Sequence, residues 1–278
     1  MRIGFHVSIA GKIYESVDRA KALGCETMQI FSRNPRGWQA MRLDGKDVEE
    51  FKKRRRKERV FPLFVHIPYL INLASPEKAL YRKSINAYIE DIQRADFLGA
   101  DFFVTHLGSH VGMGESAGIR RFEEALNTVI TKAKPRAVIL LETTAGSGSS
   151  LGYRFEHIAH MMEGIEKNYK IGVCLDTQHV YAAGYDIVKD LDGTIHAFDG
   201  IIGLEKLQLI HLNDSKSRLG SRIDRHEHIG KGTLGLAAFK RILNHPRLKH
   251  LPFIMETPKE SPNDDIRNMN TVKRLKKG

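Results

Sequence analysis

Six side chains of the kinds that hold metal ions stand at matching places along this chain. His66, His106, Glu142, Asp176, His211 and Glu256 each close an apolar run: LFVH, FFVTH, AVILLE, IGVCLD, LQLIH and PFIME. Any chain leaving a core turns polar, so one such exit means little. Six in succession, all His, Asp or Glu and never Lys, Ser or Asn, point to a common purpose. Three more candidates follow. His179 lies three residues after Asp176, and Asp224 and His226 are two apart in the polar stretch HLNDSKSRLGSRIDRHEHIGKG, from His211 to Gly232. In an extended segment residues two apart face the same side and can chelate one cation. Taken alone, that stretch reads equally well as a solvated loop. Imidazole and carboxylate donors without a Cys pair suit Zn²⁺, and Mn²⁺ or Fe²⁺ less exclusively. Nine donors exceed the needs of one ion, whereas two or three ions sharing a carboxylate can use them. Clustering so many acids also demands cations, because buried charges need partners. Several metals together suit phosphoryl chemistry, where they activate water and stabilise the attacking and leaving oxygens. Ser109 and Ser147 lie near strand ends, but nothing around them resembles a serine triad.

The elements that must position these residues alternate regularly. Apolar runs predict strands at Ile3–Val7, Thr27–Phe31, Leu63–His66, Phe102–His106, Ala137–Glu142, Ile171–Asp176, Leu207–His211 and Pro252–Glu256. Helical spacing predicts helices over Ile13–Leu23, Lys46–Arg59, Pro76–Leu98, Ala117–Lys134, Phe155–Gly164, Asp192–Gly203, Leu236–Asn244 and Pro262–Lys277, with Ser75-Pro76-Glu77 as cap and first turn of the third. Strands separated by helices imply a parallel sheet, and eight such units close most naturally into an α/β, single-domain (β/α)8 TIM-type barrel. An open doubly wound sheet is the alternative. In a barrel all the strand C-termini meet at one face, where barrel enzymes carry their sites. No linker divides the chain, so residues 1–278 are expected to form one domain.

Composition narrows the partners. Of 278 residues, 44 are Lys or Arg against 33 acids, a net charge of +11, which favours a polyanion such as nucleic acid. No apolar run approaches the roughly 18 residues that cross a bilayer. The chain enters a strand at once, so we expect no targeting segment and an intracellular protein of the cytoplasm or nucleoid. Cys25 and Cys174 sit in or beside apolar runs and read as reduced core thiols. No stretch suggests an oligomer interface, so a monomer is expected.

From GFHVSIAG near the start to IMET near the end, the chain resembles the endonuclease IV family, the zinc-dependent apurinic/apyrimidinic endonucleases. The resemblance rests on His66-Ile-Pro-Tyr-Leu-Ile-Asn, Thr105-His-Leu-Gly-Ser-His, Leu141-Glu-Thr-Thr-Ala-Gly, Cys174-Leu-Asp-Thr-Gln-His, His211-Leu-Asn-Asp and Arg222-Ile-Asp-Arg-His. It implies three Zn²⁺ ions. His66, His106 and Glu142 would hold the first. Glu142 would bridge to the second, with Asp176, His211 and Glu256, and His179, Asp224 and His226 would hold the third. The implied partner is damaged double-stranded DNA. The implied reaction hydrolyses the phosphodiester 5′ to an abasic nucleotide, leaving a 3′-hydroxyl and a 5′-deoxyribose phosphate, with trimming of damaged 3′ ends as a second activity. Glu142 and Glu256 would be catalytic. Arg36, Tyr69 and Leu70 would enter the base stack, and Lys216 and Arg225 would meet phosphates. A xylose-isomerase-like sugar isomerase or epimerase is the alternative, but it uses a smaller metal set. A non-catalytic DNA-binding protein keeping metal for stability is a third.

Other features read more plainly. The run Lys52-Lys53-Arg54-Arg55-Arg56-Lys57 falls on an outer helix just before a strand, away from the active face, and is expected to be a solvated surface. Arg33, Arg218, Arg222 and Lys231 join Arg36, Lys216 and Arg225 as phosphate-contact candidates, and Trp38 is expected to pack. His6 is left outside the ligand set, as a residue that could support it. Asn213 and Asp214 are candidates for orienting ligands. No role is assigned to Ile187–Ile202.

Overall fold

Eight strands of four to six residues form the frame: β1 (Arg2–His6), β2 (Thr27–Phe31), β3 (Leu63–His66), β4 (Phe102–Thr105), β5 (Val138–Glu142), β6 (Ile171–Asp176), β7 (Leu207–His211) and β10 (Pro252–Met255). All pair in parallel and close in the order β1-β10-β7-β6-β5-β4-β3-β2. The computed structural model describes residues 1–166 and 169–276. The expected TIM-type barrel is the observed fold, and the open sheet is excluded by the β1–β2 and β1–β10 pairings that close the ring.

Helices α1 (Glu15–Ala22), α2 (Gly45–Glu58), α3 (Lys78–Leu98), α4 (Glu115–Ala133), α5 (Phe155–Glu163), α7 (Leu191–Ile201), α8 (Gly235–Asn244) and α9 (Asp264–Lys276) form the outer layer, while the short α6 (Thr177–Ala183) follows directly on the C-terminal end of β6. Their apolar stripes explain why. In α4, Phe122, Ala125, Leu126, Val129 and Ile130 are all buried, at the spacing that keeps one helical face on the sheet. Glycine ends α3, where Gly99 takes the left-handed conformation (φ 72°).

Among the described residues, two apolar clusters fill the molecule. The larger lies between strands and helices. The smaller is Phe64, Val104, Leu140, Cys174, Leu209 and Ile254, one residue from each of six strands. Each stands two positions before His66, His106, Glu142, Asp176, His211 or Glu256, and therefore on the same side of its strand. The six candidate ligands thus rest directly on a dry plug inside the barrel. On β1 and β2 the corresponding plug positions are Gly4 and Thr27. A Cβ on Gly4 would lie 1.9 Å from the Thr27 carbonyl oxygen, so no other residue fits there.

Several boundaries differ from expectation. Helix α3 begins at Lys78, not Pro76. The Ser75 hydroxyl accepts from Glu77 N (3.2 Å) in a separate turn, and the Ser75 carbonyl is held by Arg121. His106 and Glu256 fall just past β4 and β10. Helix α6 lies outside the expected elements, because seven residues give no full periodic pattern. So does the two-residue hairpin of β8 (Asp214–Ser215) with β9 (His226–Glu227). The helix expected at Asp192–Gly203 is α7, and the stretch Ile187–Ile202, given no role, sends Leu191, Ile195 and Phe198 into the core. The expected last helix reaches Lys277, which lies outside the described residues.

Candidate metal centre

The barrel's C-terminal face gathers all nine candidate ligands. Glu142, at the end of β5, is fully buried and presents its two oxygens to different partners. Oε2 lies 3.1 Å from His66 Nε2 and 3.3 Å from His106 Nδ1, and Oε1 lies 2.9 Å from His211 Nδ1. One carboxylate thus serves two sets of donors. The second set adds Glu256, with Oε2 3.3 Å from His211 Nδ1, and Asp176, with Oδ2 3.8 Å from the same atom.

Asp176 owes its place to two elements. It ends β6 and caps α6, with Oδ1 accepting from Gln178 N (2.7 Å) and His179 N (3.0 Å). Oδ2 is left for Asn213 Nδ2 (2.7 Å) and faces His226 Nε2 at 3.6 Å. The same cap brings His179, in the first turn of α6, back over the site. His179 Nε2 lies 3.3 Å from Asp224 Oδ1, and His226 Nε2 lies 3.6 Å from it. Among the described residues, donor atoms within 4.8 Å of one another form the groups His66/His106/Glu142, Glu142/Asp176/His211/Glu256 and Asp176/His179/His226, and the Cys174 thiol stands beside Glu142 and His211 in a fourth. Asp176 therefore stands beside the third group as well as the second, while Asp224 reaches in from an exposed loop.

The histidines are oriented as metal ligands require. A ligating imidazole usually donates its other N–H to a fixed acceptor, which leaves one lone pair aimed at the ion. Here His66 Nδ1 is 2.7 Å from the Ile67 carbonyl, His179 Nδ1 2.7 Å from the Thr143 carbonyl, and His226 Nδ1 3.1 Å from the Glu256 carbonyl. His211 Nε2 is 2.9 Å from Gln29 Oε1. The other nitrogen of each of these four histidines faces a carboxylate, and His106 faces Glu142 through Nδ1. His226 Nε2 is buried with no hydrogen-bond partner among the described residues, an arrangement that costs energy unless a cation completes it.

Electrostatics agree. Burial would raise the Glu142 carboxyl, but the His106 and His211 imidazoles, with hydrogen bonds from His211 and His66, outweigh it and hold it well below the usual range. Glu256 is held low in the same way, against burial, by His211, His6 and His66. Asp224 falls to about 2, as His179 and His226 overcome its burial. Burial would lower His179, yet Asp176, Asp224 and Glu142 hold it well above the ordinary imidazole value. Positive charge is what these acids favour, and the donor set fits divalent cations.

Comparison with known proteins agrees with this geometry. The family described as a xylose isomerase-like TIM barrel matches residues 17–275. Proteins named probable endonuclease 4 are similar over essentially their whole lengths. That of Halothermothrix orenii is 45% identical over 277 residues, covering 99% of this chain and 100% of that protein. That of Methanosphaerula palustris is 45% identical over 280 residues, covering 99% and 98%. The crystal structure of endonuclease IV from Thermus thermophilus superposes with a TM-score of 0.90 at 38% identity, covering 99% of this chain and 98% of that one. The chain belongs to the endonuclease IV family. A D-tagatose 3-epimerase-like protein, with a TM-score of 0.74 at 16% identity, shares the fold alone.

One residue of this endonuclease IV-family site escapes a search for strand-ending His, Asp and Glu. Gln29, in the middle of TMQIF, is buried and touches both His211 and Glu256 (2.6 Å). His6, expected outside the ligand set as a residue that could support it, reaches Glu256 Oε1 at 3.1 Å. The available signal was parity: His6 and Gln29 stand two positions after Gly4 and Thr27, in the same layer as the ligands. Asn213 touches two candidate ligands, holding Asp176 through Nδ2 and Glu256 N through Oδ1 (2.8 Å). Asp214 does not. Its carboxylate accepts from Gly230, Gly232 and Leu234 N and organises the loop instead.

Around the site, Arg36, Arg218, Arg222, Arg225, Lys231 and Lys216 are exposed, although Lys216 lies 3.8 Å from Glu227 and 3.7 Å from Glu260. Tyr69 is 64% exposed and packs edge-on against Phe31, while Leu70 is half-buried. Arg33 is a correction: it is buried in a two-point pair with Asp91 (2.7 and 2.9 Å) and cannot meet a phosphate. The charge run on α2 needs one too. Arg55 is buried, donating to the Gly99 carbonyl (3.1 Å) and lying over the Phe61 ring, so the run is not wholly a solvated face. Trp38 packs partly buried, with the Lys83 ammonium 4.3 Å over its ring.

Proposed function

We propose that this chain, acting as one domain over residues 1–278 and as a monomer, is an abasic-site endonuclease of DNA repair. It would cut the phosphodiester 5′ to the lesion, leaving a 3′-hydroxyl and a 5′-deoxyribose phosphate, and would also trim damaged 3′ ends. The observation that carries the reading is Glu142, buried between two histidine sets with one oxygen for each. Three Zn²⁺ ions are proposed: one on His66, His106 and Glu142, one on Glu142, Asp176, His211 and Glu256, and one on His179, Asp224 and His226. Mn²⁺ or Fe²⁺ are possible substitutes. Bound there, the ions would supply Lewis acidity, lowering the pKa of water and neutralising charge on the phosphate.

The chain's own residues would do the rest. Glu142 and Glu256 would keep their carboxylates ionised and bring two donor groups together. The cavity beside them is lined also by Phe31, Tyr69 and Lys259. A phosphate next to a stacked nucleotide cannot reach a site inside a barrel mouth, so the duplex must bend and the lesion must leave the stack. Tyr69 and Leu70 would act as the apolar wedge, and Arg36 would fill the gap. Lys216 and Arg225 would hold the backbone. Among the described residues no helix is long and apolar enough to cross a membrane.

The test is incision of a duplex carrying a single abasic site, with and without a chelator. Metal-dependent cleavage giving a 3′-hydroxyl is expected. No cleavage, or cleavage indifferent to chelation, would overturn the proposal.

A further inference from the structure

Gln29 lies in the ligand layer yet cannot itself be a strong metal ligand, and every polar atom of its side chain is engaged there. Its Oε1 is 2.9 Å from His211 Nε2, and its Nε2 is 2.6 Å from Glu256 Oε1. Its Nε2 also lies 3.0 Å from His6 Nδ1. The amide orientation is determined by chemistry. A carboxylate oxygen only accepts, so the Gln29 NH₂ must face Glu256 and its carbonyl must face His211. A carbonyl also only accepts, so His211 must carry its proton on Nε2. That leaves the lone pair on Nδ1, the nitrogen 2.9 Å from Glu142 and 3.3 Å from Glu256.

We propose that Gln29 is the positioning residue of the second metal group, fixing the His211 tautomer with its carbonyl and one Glu256 oxygen with its amide. This rests on the metal-centre reading above and deepens it. One side chain on β2 thereby aligns ligands from β7 and from the end of β10. Because β1 lies between β2 and β10 in the barrel, Gln29 reaches past the His6 strand to do so. The Gln29 side chain is buried, and removing its polar atoms would leave a buried His211 N–H without an acceptor.

The test compares Gln29→Met, which keeps the shape and loses both hydrogen bonds, with wild type and with Thr27→Val. The control sits one layer deeper on the same face of β2 and removes a buried hydroxyl away from the ligands. Zn²⁺ affinity and stoichiometry are measured against a chromophoric chelator, and ¹⁵N-histidine NMR reads the His211 tautomer. Gln29→Met should weaken one Zn²⁺ ion by about 10–100-fold, the usual effect of losing a partner behind a ligand. The other ions should keep their wild-type affinity, and the Nε2–H signature of His211 should be lost. Thr27→Val should bind as wild type does. Should Gln29→Met fail to fold, Gln29→Glu serves. Its ionised form still accepts from His211 but repels Glu256 instead of donating to it, so it should keep the tautomer and still lose Zn²⁺ affinity. Wild-type affinity in either Gln29 variant, or equal loss in Thr27→Val, would overturn the assignment while leaving the metal centre intact. A wild-type protein that binds no Zn²⁺ would sink both.

Discussion

Glu142 and Glu256 share a layer but differ in surroundings. Glu142 is enclosed by three histidines, whereas Glu256 borders the open cavity and shares its Oε1 with Gln29 and His6. Glu256→Gln keeps the shape and removes the charge. It should lower incision by roughly two orders of magnitude or more while duplex binding persists, as expected when a group matters mainly in the transition state. Gel-shift and incision assays on the same protein check this, and wild-type turnover would remove Glu256 from the site. At the other end of the barrel, burial pushes the Cys25 thiol from 9.0 up to about 12. The unfolded chain ionises this thiol first. Stability is therefore fully present below pH 9 and falls above it, by about 1.4 kcal/mol per pH unit for one such group. Cys25→Ala should flatten that part of the slope in urea unfolding between pH 9 and 11. An unchanged slope would show that the thiol ionises in the folded protein.

Asp176 joins a strand to a helix and a site to both. Asp176→Asn should keep the cap on α6, since Asn caps about as well as Asp, and should shift chelator-treated stability by less than about 1 kcal/mol. It should still weaken metal binding at least tenfold, which dialysis against a metal buffer measures. If the two effects move together, the cap and the ligand are not separable. The Arg33–Asp91 pair anchors α3 to the loop after β2. Breaking it leaves a buried charge alone, so Arg33→Ala should cost about 3–5 kcal/mol in denaturant unfolding. A loss below 1 kcal/mol would mean that water relieves Asp91. These elements also show what a sequence can reveal. The strands were legible because parallel strands are buried on both faces and appear as unbroken apolar runs. The six exits stood out because ionisable residues rarely follow such runs repeatedly. Arg33 misled because a basic residue in a top-face loop looks like a phosphate contact, and its partner lies 58 residues away in α3. Gln29 was missed because an amide inside a strand carries no charge to mark it.

The whole molecule is basic, but its charge is not uniformly available. On α2, Arg54 is taken up by Glu50 and Asp18, and Arg55 is buried beneath Val60 and Gly99. The exposed cations of the β7–α8 loop share that loop with the candidate ligands Asp224 and His226. Substituting Lys216, Arg225 or Arg36 by Ala should each lower the slope of log affinity against log salt by roughly one, while Lys53→Ala on α2 should leave it unchanged. Equal effects at both places would mean that DNA is held by diffuse charge rather than by the face carrying the ligands.

The plug beneath the ligands also sets where the chain can change length. Every ligand on a strand stands two residues beyond a plug residue, so a single inserted or deleted residue within that strand would turn the ligand outward and an apolar neighbour inward. The loops beyond the strand ends carry no such parity. Evolution and engineering can therefore change the barrel's rim where it carries no ligand, away from His179, Asp224 and His226, reshaping which lesions it grips, while the strands below must keep their length to the residue.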